Sequence, residues 1–134
     1  ALLGMPIRDI HKKHGTIRLH SEEALVVSKL QNRENLVIAT GENTLMQDAN
    51  YEILAWNSVI FLLNASAETV YTRICRKNNR SLLPKGAGLE TVRKIMEEHD
   101  ALYRARSHYA VTVDTKNLDE VVADIIACYK QHLL

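Results

Sequence analysis

Residues 36–43 read Leu-Val-Ile-Ala-Thr-Gly-Glu-Asn, an apolar run that stops at Thr-Gly. A short apolar run closed by a turn signal is the pattern of a parallel strand covered on both faces. In open α/β sheets the ligand crevice lies just past the carboxyl ends of such strands. The segment therefore predicts an α/β fold, with chemistry at the loop that begins at Gly41. None of the five glycines opens a Gly-x-x-x-x-Gly-Lys-Ser/Thr phosphate cradle.

The rest of the chain alternates in the same sense. Pro6 and Gly15 bracket a predicted helix over 6–14. Ser21 caps a second over 21–30, ahead of the strand at 36–39. A helix over 47–56, a strand over 59–63 and a helix over 67–77 follow. A helix over 89–107 and a strand over 110–113 come next. In the last helix Leu118, Val121, Val122, Ile125, Ile126 and Tyr129 recur at helical spacing. Three strands separated by helices predict a parallel sheet with right-handed crossovers in a three-layer αβα arrangement.

At 134 residues the chain is expected to form a single domain, 1–134, and its 46% hydrophobic content is enough for a core. A formal charge of +1 argues against a nucleic-acid or membrane surface. No apolar run is long enough to span a bilayer. Cys75 and Cys128 sit among apolar residues in helical patterns and read as inert thiols of a cytoplasmic protein. The chain enters a helical pattern directly from Ala1, which points to a segment ahead of it. The basic loop 78–88, with Arg80, Lys85, two glycines and a proline, has two readings. It is a flap that folds over polyphosphate, or a solvated surface loop.

The order Gly4-Met-Pro-Ile-Arg-Asp-Ile, His14-Gly15, Glu23, Val37-Ile-Ala-Thr-Gly41, Val59-Ile-Phe-Leu, Arg80-Ser-Leu-Leu, Leu102-Tyr103 and Val113-Asp-Thr resembles the shikimate kinase family. The resemblance runs from about Leu3 into the last helix, nearly the whole chain. It implies a P-loop kinase of the nucleoside monophosphate kinase type, with five parallel strands in the order 2-3-1-4-5. Its members move the γ-phosphate of ATP to a hydroxyl of shikimate with magnesium. The three strands here would be the third, fourth and fifth. The first, which lies between the third and fourth, would be lacking, together with the second, the phosphate loop and an Asp-x-Asp pair. Strands 36–39 and 59–63 would then face each other across a slot.

The same resemblance assigns site residues. Arg80 matches the catalytic lid arginine that reaches the ATP phosphates, with Ser81 in place of the usual proline. Arg73 matches the arginine that stacks on adenine, against the plain reading of an exposed helix arginine. Asp114, Thr115, Lys116 and Asn117 match the loop beside the adenine ring. On the acceptor side, His20 and His99 stand where the family has two arginines for the shikimate carboxylate. Glu23 matches the glutamate that braces the first of these, and Gly41-Glu42-Asn43 replaces a Gly-Gly-Gly turn. A guanidinium fork grips a carboxylate bidentately, which a neutral imidazole cannot do. The histidines read as ordinary half-buried residues in a drifted site, or as titratable replacements.

Two functions are implied. One is a shikimate kinase-like phosphotransferase, inactive as this chain because the P-loop is absent, with direct magnesium ligands not identifiable. The other is a ligand-sensing module of the same fold, as in regulators of aromatic-acid metabolism. The expected partners are a small-molecule substrate and the segment or chain that carries the P-loop.

Overall fold

The computed structural model describes residues 7–76, 86 and 88–134, with side chains from Ile17 onward. The expected basic loop, with Arg80 and Lys85, lies largely outside the described residues. The described residues fall into two compact units, one up to Ser58 and one from Val59 onward.

The first unit opens with a single helix, α1 (Ile7–Leu30). Two helices were expected, with Gly15 as a stop. A glycine inside a helix costs about 1 kcal/mol, whereas ending a helix there and starting another leaves two further sets of terminal N–H and C=O groups to satisfy. Continuation avoids the larger cost. The helix stops where Asn32 turns to φ 68°, followed by Asn35 at φ 58°. Asparagine tolerates this left-handed conformation better than other side chains with a Cβ.

Residues 36–40 then run without regular secondary structure. The expected strand at 36–39 is therefore not formed. Its apolar side chains are exposed, Val37 fully so. A strand exists through ladder bonds to a neighbour, and the sheet among the described residues contains no strand from this segment. A 3-10 turn (Thr44–Met46) leads into α2 (Asp48–Ala55). That helix closes at Trp56 and Asn57, the latter again at positive φ. Among the described residues of this unit, Val27, Thr44 and Asn50 are buried.

The second unit holds β1 (Phe61–Asn64), α3 (Ala67–Arg76), α4 (Leu89–Ala105), β2 (Tyr109–Thr112) and α5 (Leu118–Leu133). Each strand and helix was expected within a few residues of these bounds. β1 and β2 are parallel, with Phe61 beside Tyr109 and Leu63 beside Val111. The ladder extends at its start, where the His108 amide donates to the Ile60 carbonyl at 2.8 Å and the Ile60 amide donates to His108 Nδ1 at 2.9 Å. Val111, Val113 and Val121 form the core, with Phe61, Ala65 and Ile125 packed against it. Among the described residues no helix is long and apolar enough to cross a membrane.

Candidate functional site

The carboxyl ends of β1 and β2 face one another through two short turns. Ser66, just after β1, caps α3: its Oγ accepts the Thr69 amide at 3.2 Å, and its carbonyl accepts the Val70 amide at 3.0 Å. Asp114, just after β2, accepts the Ser66 amide through both oxygens, at 2.9 and 3.1 Å. The Ser66 hydroxyl donates to the same carboxylate at 3.3 Å. Asp114 is held below its ordinary pKa, first by the Ser66 amide, then by the Thr69 hydroxyl, with a lesser contribution from the charge of Arg73. One carboxylate thus latches the β2–α5 turn to the β1–α3 turn, at the place where α/β folds bind ligands.

The remaining residues of that turn shape it. Lys116 pairs with Asp124 of α5, which raises the lysine pKa. Asn117 caps α5: its Oδ1 accepts the Glu120 amide at 2.9 Å while Glu120 Oε1 accepts the Asn117 amide at 3.2 Å. This is a reciprocal capping box. Thr115 is exposed at the tip.

Beside this latch, α3 presents a surface cleft of about 310 Å³ lined by Glu68, Thr69, Thr72, Arg73 and Arg76. That volume is at the low end for small-molecule sites. Arg93 of α4 donates to Glu68 at 2.6 Å, and this bond is the first cause of the lowered Glu68 pKa. The one acid of the lining is thus offset from outside the cleft, and the two arginines leave it net positive. Only Arg73 of this lining was expected. Thr69, Thr72, Arg73 and Arg76 recur at helical spacing on one face of α3, a signal legible in the sequence.

A second cluster lies in the first unit. The Gly41 amide donates to Thr44 Oγ1 at 3.1 Å, and Thr44 Oγ1 donates to Glu23 Oε2 at 3.4 Å. A Cβ at Gly41 would sit 3.4 Å from both Glu23 Oε1 and Thr44 Oγ1, at the edge of ordinary contact, so the turn lies close against α1. Asn43 begins the 3-10 turn, its carbonyl accepting the Met46 amide at 3.1 Å, and Glu42 is exposed beside it. His20, one helical turn before Glu23, is half-buried, and its Nε2 is buried with no hydrogen-bond partner. The structure therefore brings Glu23 and Gly41 together through a buried residue that sequence reasoning missed, Thr44. His99 stands in the second unit, half-buried on α4, its ring edge-on to Tyr103 at 5.7 Å.

A family model described as shikimate kinase matches residues 1–130. The chain belongs to the shikimate kinase family. It is 36% identical over 129 residues to a shikimate kinase of Pelotomaculum thermopropionicum, an alignment that covers 96% of this chain and 74% of that one. A shikimate kinase of Caldanaerobacter subterraneus subsp. tengcongensis is 31% identical over 128 residues, again 96% of this chain and 74% of the relative. Among solved structures, shikimate kinase from Acinetobacter baumannii in complex with shikimate superposes with a TM-score of 0.89 at 26% identity, covering 99% of this chain and 74% of that one. The α/β shikimate kinase fold expected from the sequence is thus established.

Proposed function

We propose that this chain supplies the nucleotide-facing and acceptor-facing residues of an ATP-dependent phosphotransferase acting on a small hydroxy acid such as shikimate. We also propose that, as this polypeptide, it does not complete the reaction. The observation that carries the first part is that Arg73, in the net-positive cleft of α3, lies near enough for its charge to act on Asp114 at the carboxyl end of β2. The two residues lie 41 positions apart and were singled out separately on the family pattern.

The cleft suits a nucleotide. Arg73 offers a planar guanidinium for stacking on a base, and Arg76 a second cation for anionic oxygens. Thr69 and Thr72 offer hydroxyls. Asp114, Lys116 and Asn117 act by holding the turn in shape, since their side chains are engaged with Ser66, Asp124 and Glu120. Arg80 keeps its assignment as the arginine that neutralises charge on the transferred group. Bound ATP supplies the phosphoryl group. Among the described residues no group of three His, Cys, Asp or Glu could hold a metal. The family reading implies magnesium bound with the nucleotide phosphates, as is common in kinases.

On the acceptor side, Glu23, Thr44 and Gly41 set the turn that would face the hydroxy acid, with Glu42, Asn43 and His20 as further contacts; His99, in the second unit, keeps its own family assignment. Replacing two arginines by histidines removes two charge-assisted contacts to a carboxylate, each worth roughly 1.5–3 kcal/mol. Phosphoryl transfer rests on positioning and on charge neutralisation by the phosphate loop and its lysine. This sequence has neither. The reading places the protein in the cytoplasm with its soluble substrates.

A coupled assay of the purified chain with ATP and shikimate should show no turnover above background. Turnover abolished by Arg80→Ala would overturn the second part of the proposal. Calorimetry with shikimate should show weak binding by the unmodified chain and tighter binding by the His20→Arg/His99→Arg variant. Strong binding by the unmodified chain would remove the histidines from the account.

A further inference from the structure

The acid of the α3 cleft is held by a residue that does not line the cleft. Glu68 stands in the first turn of α3, and Thr72, Arg73 and Arg76 follow it along the lining. A carboxylate that shares a lining with guanidiniums competes for them with any anionic ligand. Arg93 of α4, 25 positions away in sequence, takes that carboxylate instead: its Nη2 donates to Glu68 Oε1 at 2.6 Å. Its Nε donates to Glu90 Oε1 at 3.3 Å, in the first turn of its own helix. One guanidinium thus lies between acids from two helices, with the shorter bond to the acid of the cleft.

The pair does little that other contacts do not already do for the fold. Ser66 caps α3, and Asp114 ties the start of α3 to the turn after β2. Arg93 is the more covered partner, 38% exposed against 57% for Glu68, so its stem is fixed on α4 and the acid is drawn to it. The consequence falls on charge. Paired with Arg93, Glu68 leaves Arg73 and Arg76 uncancelled among the described residues of the lining; unpaired, it would cancel one of them. We propose that Arg93 is a positioning residue for the cleft: by holding Glu68 against α4 it keeps Arg73 and Arg76 available to anionic oxygens, and so sets the affinity of the cleft for a polyphosphate. The inference rests on the nucleotide reading above and deepens it, since Arg93 acts on the charge of the ligand and not on its base.

ATP and inorganic tripolyphosphate are titrated separately into the full chain, with binding read from the NMR shifts of α3 amides. Arg93→Met should weaken both ligands roughly twofold to fivefold, the span of one exposed ion pair. Glu68→Gln/Arg93→Met should return to about the natural affinity, because the charge that Arg93 restrains is then gone. Lys94→Met removes the same charge from the next residue of α4, which is exposed, and should change neither affinity by as much as about twofold. If Arg93 only staples α3 to α4, the double variant stays as weak as Arg93→Met, and the proposal is overturned. It is overturned equally if Lys94→Met matches Arg93→Met, or if neither ligand binds the natural chain. ATP binding that is indifferent to Arg93→Met overturns the inference and leaves the nucleotide reading standing. Tripolyphosphate binding that responds to Arg93→Met and is rescued by the double variant, with ATP bound no better, upholds the inference and counts against base stacking by Arg73.

Discussion

The two units bury different chemistry. Among the described residues, the first buries one aliphatic side chain, Val27, with two polar ones, Thr44 and Asn50. The second buries Ala67, Val92, Val111, Val113 and Val121, with three of these valines in one cluster around a parallel ladder. In the first unit, order is carried by a specific polar contact: Gly41 to Thr44 to Glu23. In the second it is carried by apolar packing, and the polar latch from Asp114 to Ser66 sits on the surface above it. An apolar cluster is non-directional and tolerates variation at its rim. A buried polar chain is directional and costly to leave incomplete. Apart from His99 on α4, the candidate acceptor residues lie in the first unit, and the described candidate nucleotide residues lie in the second.

The largest expected effect is on the core of the second unit. Val111→Ala removes two carbons from a clustered site and should cost roughly 2–3 kcal/mol. Val27→Ala, outside any such cluster, should cost nearer to about 1 kcal/mol. Denaturant melts of the two variants check this, and equal losses would break the comparison. Next is Asn50, whose Nδ2 is buried with no hydrogen-bond partner. Asn50→Leu should be neutral or stabilising, by up to about 1–3 kcal/mol of relieved desolvation. A clear loss in thermal melting would show that this amide is satisfied in solution and that the first unit is less polar-strained than its burial implies.

A smaller effect is expected at the cap of α5. Asn117→Ala breaks the capping box and should cost about 1 kcal/mol, seen as faster amide exchange in the first turn of α5. The smallest effect is a pH dependence. The folded pKa of Asp114 is depressed, chiefly by the Ser66 amide. Its contribution is therefore fully present above the ordinary carboxylate value of about 4 and is lost as pH falls through the folded value. Acid melting profiles below about pH 4 should be steeper for the natural chain than for Asp114→Asn. Parallel profiles would take the latch out of the stability of the second unit.

Much of the fold was legible locally. α2, α3, α4, α5 and both observed strands follow from apolar periodicity and turn residues, because neighbours in sequence decide which face of a helix or strand is apolar. The α/β class follows from their alternation. The candidate nucleotide residues Arg73 and Asp114 were reachable only through the family pattern. Thr44 and Ser66 left no comparable signal, since each matters for a contact made across the fold.

What only tertiary structure decided are the long-range bonds. Asp114 reaches Ser66 across 48 positions, and Glu23 reaches Thr44 across 21. The apolar run at 36–40 shows the same rule from the other side. Its composition asks for a strand, but a strand is completed by hydrogen bonds to another segment, and none is paired with it among the described residues. Continuation of α1 through Gly15 was likewise settled by a balance of terminal hydrogen bonds against one poor helix former, which no single residue announces. Outside 36–40 and the passage through Gly15, the sequence by itself determined which segments are helical or extended and which of their faces are apolar, because those are properties of near neighbours. Which apolar faces find cover, which strand finds a ladder and which polar side chains meet were decided by the folded chain, because each of these needs a partner distant in sequence.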